Sequence, residues 1–116
     1  MPFISVTTSR NISSEQAERI KTGLGKRISI IPGKSETSLM IHLCGAGTMY
    51  FGGEEKPCVH MNVLLFRKAD KEAKGKFCEE SIAFVAEILD VPVEDVFLTL
   101  SEYDSWGSRG TLNHAS

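Results

Sequence analysis

An α/β domain built from two repeated β-α-β units is predicted for residues 1–116 by three observations. Alternating strand-like segments are separated by two long segments with helical spacing. The halves superpose at a constant offset of 57: Val6 falls on Val63, Ile20 on Phe77, Ile28 on Val85 and Ile31 on Ile88. Leu39, Ile41 and Leu43 fall likewise on Val96, Leu98 and Leu100, so strand, helix and strand agree in order and length. Right-handed crossovers then place both helices on the same face of one four-stranded mixed sheet.

The elements follow in order. Pro2-Phe-Ile-Ser-Val-Thr-Thr alternates apolar and small polar residues, so 2–8 reads as a strand. Ser13-Ser-Glu-Gln16 is a capping-box pattern, and Ala17, Ile20, Leu24, Ile28 and Ile31 behind it recur at helical spacing until Pro32-Gly33 ends the helix. Residues 38–44 read as the second strand. The glycine-rich stretch 45–56 reads as a loop, with Glu54-Glu55-Lys56 an exposed turn. Pro57 opens a third strand at 58–66. A helix over 70–89 buries Phe77, Phe84, Val85 and Ile88, Pro92 follows it, and a fourth strand runs over 95–101. The polar last dozen residues carry no clear periodicity.

Strand alternation divides the sheet into two faces. Ile4, Val6, Leu39, Ile41, Leu43, Met61, Val63, Leu65, Val96, Leu98 and Leu100 are expected to meet the helices. The other face carries Ser5, Thr7, Met40, His42, Cys44, His60, Asn62, Leu64, Phe97 and Thr99, with no Lys, Arg, Asp or Glu. A face open to water normally acquires charge, and a dry core seldom takes His and Asn. Such a face points to contact with further copies of the chain and a cyclic homo-oligomer.

Composition narrows the function. Hydrophobic residues at 41% and charged residues at 24% suit one globular domain. A net charge of −2 argues against nucleic-acid binding, and no apolar run is long enough to cross a membrane. The N-terminus lacks signal-peptide features, so a cytoplasmic address is expected. Cys44, Cys58 and Cys78 are odd in number and form no C-x-x-C pair, which suits free thiols. His42, His60 and His114 show no metal-ligand spacing, so neither a metal nor any other cofactor is expected. Gly23-x-Gly25-Lys26 lies inside a helix and Gly45-x-Gly47 stands alone; neither completes a phosphate loop.

The residue pair of chemical interest is Met1-Pro2. Methionine before proline is commonly removed, which leaves a secondary amine. An α-amine titrates near about 8, and burial beside a cation lowers that value, so it is partly neutral at physiological pH and able to act as a general base.

Pro2-Phe-Ile opening a strand, Gly33-Lys34 before the second strand, Phe51-Gly-Gly leading to Pro57-Cys58, and the β-α-β repeat together resemble the macrophage migration inhibitory factor family of the tautomerase superfamily. The resemblance covers nearly the whole chain and implies a homotrimer whose sheets wrap a central channel. It implies keto–enol tautomerisation of a small aromatic 2-oxo acid such as phenylpyruvate, without a cofactor. Pro2 is then the base and Lys34 holds the substrate carboxylate and depresses the proline pKa. Phe66 supplies a backbone N–H at the end of the third strand, while Phe97 and Thr99 enter the pocket from the neighbouring subunit. The sequence departs from the family where tyrosine and asparagine are replaced by Phe97 and Thr99, and where a C-terminal tryptophan is replaced by Ser108. Trp106 and Phe51 suit either packing or a pocket wall, and Arg109 is a candidate carboxylate ligand because arginine offers two parallel donors. The resemblance also admits an extracellular signalling protein, exported without a signal peptide, that binds a receptor. A hydratase or dehalogenase using the same proline is a third reading, but the sequence offers no convincing set of further arginines beyond Arg109.

Overall fold

The computed structural model describes residues 1–115. Its main sheet has four strands, β1 (Pro2–Thr8), β2 (Met40–Cys44), β5 (Val59–Phe66) and β6 (Val96–Tyr103), in the order β2-β1-β5-β6. The pairs β1–β2 and β5–β6 are parallel, and β1 meets β5 antiparallel across the centre. This is the mixed sheet expected of a duplicated β-α-β unit. Two short hairpins complete the strands: β3 (Tyr50–Phe51) with β4 (Glu54–Glu55), and β7 (Ser105–Ser108) with β8 (Thr111–His114).

Helix α1 (Ser14–Arg27) begins as its sequence dictates: Gln16 N–H donates to Ser13 Oγ and Ser13 N–H donates to Gln16 Oε1. Those reciprocal bonds satisfy donors that the first turn leaves unpaired. The α-helix stops at Arg27, earlier than Pro32-Gly33 implies, because Ile28–Ile30 tighten into a 3-10 turn. Ile28 and Ile31 nonetheless reach the core. Helix α2 (Lys71–Leu89) is capped by Asp70, whose carboxylate accepts from Ala73 N–H. Where α2 crosses α1, the Phe84 ring fills the space a Cβ on Gly23 would occupy, and the Arg27 guanidinium lies 4.0 Å over that ring.

The core lies between the helices and one sheet face. Ile4, Val6, Met61, Val63 and Leu65 are fully buried with Ile20, Leu24, Phe77 and Val85, while Leu39, Ile41, Leu43, Leu98 and Leu100 pack at its margin. This is the face that strand alternation assigned to the helices. The opposite face carries no helix, and it leaves Met40 68% and Phe97 60% exposed.

Three segments differ from the sequence reading. The second strand starts at Met40, since Glu36–Ser38 form a 3-10 turn. The loop 45–56 contains the β3–β4 hairpin, closed by Gly52 and Gly53 at positive φ. The polar C-terminal stretch folds as the β7–β8 hairpin around Arg109-Gly110 (φ 54° and 79°), whose left-handed pair suits a two-residue turn. Among the described residues no helix is long and apolar enough to cross a membrane.

Candidate active site

The N-terminus, the Lys34 turn, the end of β5 and the C-terminal hairpin converge at one end of the sheet. Pro2 opens β1 opposite Leu65 and is buried. Its nitrogen is an amide here, because Met1 precedes it, and the free amine belongs to Met1. The Met1 carbonyl accepts from Phe66 N–H at 3.2 Å. The Met1 sulfur accepts from the Ser108 hydroxyl.

Lys34 is aimed at this place by local turn chemistry. Its N–H donates to Ile31 O at 3.1 Å, closing a turn with Pro32-Gly33 at the centre and Gly33 at φ 81°. Proline fixes the first central position and glycine allows the left-handed second. Lys34 Nζ then donates to Phe66 O at 2.7 Å. Beyond it Arg67 ends β5 at φ 76°, donating its N–H to Tyr103 O, with its guanidinium over the Phe66 ring.

Two basic groups, the Met1 amine and Lys34, meet here and are partly buried. The Met1 amine is held below its ordinary pKa, first by burial, then by the Lys34 charge and a hydrogen bond with Lys34. Lys34 is also lowered, chiefly by burial; its hydrogen bond with the amine opposes that, Arg67 adds to it and Glu102 opposes it. Glu102 lies on β6, where it accepts from Lys74 and from Ala69 N–H; burial raises its pKa, and these donors with the Lys74 and Lys68 charges bring it down. An amine whose pKa is lowered beside a lysine is a candidate base next to an anion-binding group.

A cavity of about 730 Å³ opens against Met1 and Pro2. Trp106 and Arg109 line it, as do Thr37, Ser38, Met40, Ser108 and Asn113. The structure thus brings Pro2, Lys34, Phe66, Trp106 and Arg109 to one end of the sheet. Phe97 and Thr99 are elsewhere. They sit on the helix-free face, opposite His60 and Asn62, toward the other end of β5 from Leu65. Along β5 the level of Pro2 is five residues from Phe97 and three from Thr99, about 16 Å and 10 Å, and β5 itself stands between β1 and β6, so neither side chain reaches Pro2 of its own chain. Phe97 packs on Phe51, ring centroids 5.0 Å apart, which gives Phe51 a packing role. Thr99 donates to Asn62 Oδ1 at 3.0 Å and accepts from His60 Nε2 at 2.9 Å.

The polar lining formed by Thr37, Ser38 and Asn113 is absent from the sequence reading. Thr37 and Ser38 belong to the unforeseen 3-10 turn. Asn113 faces the site only because the hairpin pairs it with Trp106. Period-two alternation of Trp106 and Ser108 around Arg109-Gly110 is the signal that could have revealed it. Among the described residues no cluster of His, Cys, Asp or Glu could hold a metal ion.

Solved structures share this duplicated β-α-β fold. Leishmania major MIF2 superposes with a TM-score of 0.90 at 17% identity, covering 97% of each chain. A MIF-like protein of Entamoeba histolytica superposes at 0.83 with 16% identity, covering 96% of this chain and 97% of the other. A fused 4-OT, described as an asymmetric trimer, superposes at 0.83 with 17% identity over 94% of each. At such identities the likeness is one of fold. The family model for macrophage migration inhibitory factor (MIF) matches residues 1–112, and the chain belongs to that family. No curated protein matches the sequence.

Proposed function

We propose that the chain, once Met1 is removed, is a cofactor-independent keto–enol tautomerase with Pro2 as general base. The observation that carries this reading is the placement of the N-terminus beside Lys34, with Pro2 buried at the start of β1 and lining the cavity; the amine there, now that of Met1, is lowered by burial and by the Lys34 charge. Removal of Met1 makes Pro2 the amine and strips Phe66 N–H of the carbonyl it now serves. The neutral nitrogen takes the proton from the carbon beside the carbonyl. The C–H electron pair becomes the C=C bond, and the carbonyl pair moves to oxygen. Proton return to oxygen gives the enol, and return to carbon restores the keto form. Lys34 and Phe66 N–H offset the negative charge that develops, and such fixed donors act most strongly where water is excluded. The substrate class that fits is a 2-oxo acid, with phenylpyruvate the first probe.

The same reading includes a homotrimer in which Phe97 and Thr99 of one copy close the pocket of the next. Its support is the uncharged helix-free face with Phe97 exposed, together with the distance of both residues from their own Pro2. Sedimentation of the Met1-free protein tests it, with a trimer expected and full activity in a monomer excluding it.

Enol–keto conversion of phenylpyruvate, followed by ultraviolet absorbance after mass spectrometry confirms loss of Met1, tests the chemistry. Lys34→Ala should lower kcat/KM by about 10–100-fold, the equivalent of one charge-assisted hydrogen bond. It should also move the acidic limb of the pH profile upward. A cation disfavours the ammonium form, so its loss raises the amine pKa and a higher pH is needed to free the base. An unshifted limb would exclude coupling between Lys34 and Pro2.

A further inference from the structure

We propose that the preferred substrate carries a second carboxylate, as a short-chain 2-oxo diacid does, and that Arg109 and Ser108 bind it. This rests on the reading of Pro2 as the reactive amine and names the substrate class for that site. Met1 acts as an internal ligand whose contacts reveal what the cavity recognises. Its carbonyl accepts from Phe66 N–H at one end, and its sulfur accepts from Ser108 O–H at the other. The Ser108 oxygen also accepts from Asn113 Nδ2 at 3.0 Å, which orients the hydroxyl so that its proton points to the Met1 sulfur. When Met1 leaves, two donors lose their acceptors at once, and they are separated by the length of a methionine side chain. A ligand that satisfies both needs an acceptor group at each end. An aromatic ring supplies none at the far end, and a partly buried donor left unpaired there costs affinity.

Charge at that end fixes the kind of acceptor. Arg109 lines the cavity beside Ser108 and belongs to none of the ion pairs among the described residues. It occupies the first central position of the β7–β8 turn at φ 54°, where Gly, Asn or Asp is favoured. The turn gains nothing from arginine there, whereas a carboxylate gains two parallel donors. Lys34 stands beside Phe66 and Arg109 beside Ser108, so each of the two freed donors has a cation next to it.

The test uses Met1-free protein and two readouts. Calorimetry compares glutarate with 3-phenylpropionate as non-reacting ligands, and turnover compares the enols of oxaloacetate and phenylpyruvate. Glutarate should bind about tenfold or more tightly than 3-phenylpropionate. Arg109→Ala should weaken glutarate by about tenfold or more and leave 3-phenylpropionate within about twofold, and Arg109→Lys should restore part of the loss. In turnover the same variant should raise KM for the oxaloacetate enol and leave kcat nearly unchanged. Equal affinities in the wild type, or an Arg109→Ala variant that weakens neither ligand or both alike, would overturn the proposal. Absence of turnover with Arg109-dependent glutarate binding intact would exclude the Pro2 reading and keep the diacid site. Pro2-dependent turnover without preference for the diacid would do the reverse.

Discussion

Protein that keeps Met1 should lose about 10²–10⁴-fold of its tautomerase activity relative to the processed form, the usual worth of a positioned general base. The nitrogen of Pro2 is then an amide with no basic lone pair. An amine is still present on Met1, but it stands one residue further out, and misplacement of a reacting group by even about 1 Å costs on the order of 10²-fold. Met1 also occupies Phe66 N–H and the Ser108 hydroxyl, so substrate binding and chemistry fail together. Pro2→Ala tests the same point differently: it leaves a primary amine in place and should retain more activity than the Met1-bearing form. The check is phenylpyruvate turnover on protein whose N-terminal mass is known. Equal rates with and without Met1 would remove Pro2 from the mechanism.

The largest stability effect is expected at Phe77. Its side chain is fully buried in the core cluster that the helices form on the sheet, and it stands at the repeat position of Ile20. Phe77→Ala deletes the ring and leaves a cavity in that cluster, whose side chains relax only in part. A loss of about 3–5 kcal/mol follows, a large fraction of the roughly 5–15 kcal/mol that holds a domain folded. Urea unfolding at fixed protein concentration should show a lower midpoint with an unchanged slope. Phe77→Leu should cost clearly less, because most of the volume stays filled. A Phe77→Ala midpoint close to wild type would contradict this placement of the core.

The order of elements, the duplication and the division of the sheet into two faces were legible because each rests on a strong local period. Ile4 and Val6 alternate, Ile20, Leu24 and Ile28 recur at helical spacing, and Ser13 with Gln16 marks the helix start. Pro32-Gly33 announced the turn that aims Lys34. The C-terminal hairpin was not legible. Trp106, Ser108 and Asn113 form its inner face, but the alternation of Trp106 and Ser108 spans only one short strand with a single large apolar residue, and its turn opens on Arg109 instead of Asn or Gly. Thr37 and Ser38 escaped notice for a related reason, since a single 3-10 turn leaves no periodic trace. Pro2, Lys34, Phe66, Trp106 and Arg109 were therefore readable as candidates one by one. The polar lining supplied by Ser108 and Asn113 appears only once the hairpin folds. Contacts that Met1 makes with Phe66 and Ser108 likewise join residues far apart in sequence, which no local pattern records.

The central claim is that a Pro2 amine of lowered pKa is the base. It is tested most directly by ¹⁵N NMR titration of Met1-free protein labelled at proline, set beside the pH dependence of kcat/KM. The account predicts one midpoint below about 8, the ordinary value for an α-amine, shared by the Pro2 resonance and the acidic limb of the rate profile. A Pro2 midpoint at or above that value, or an acidic limb that does not follow the Pro2 titration, would contradict it.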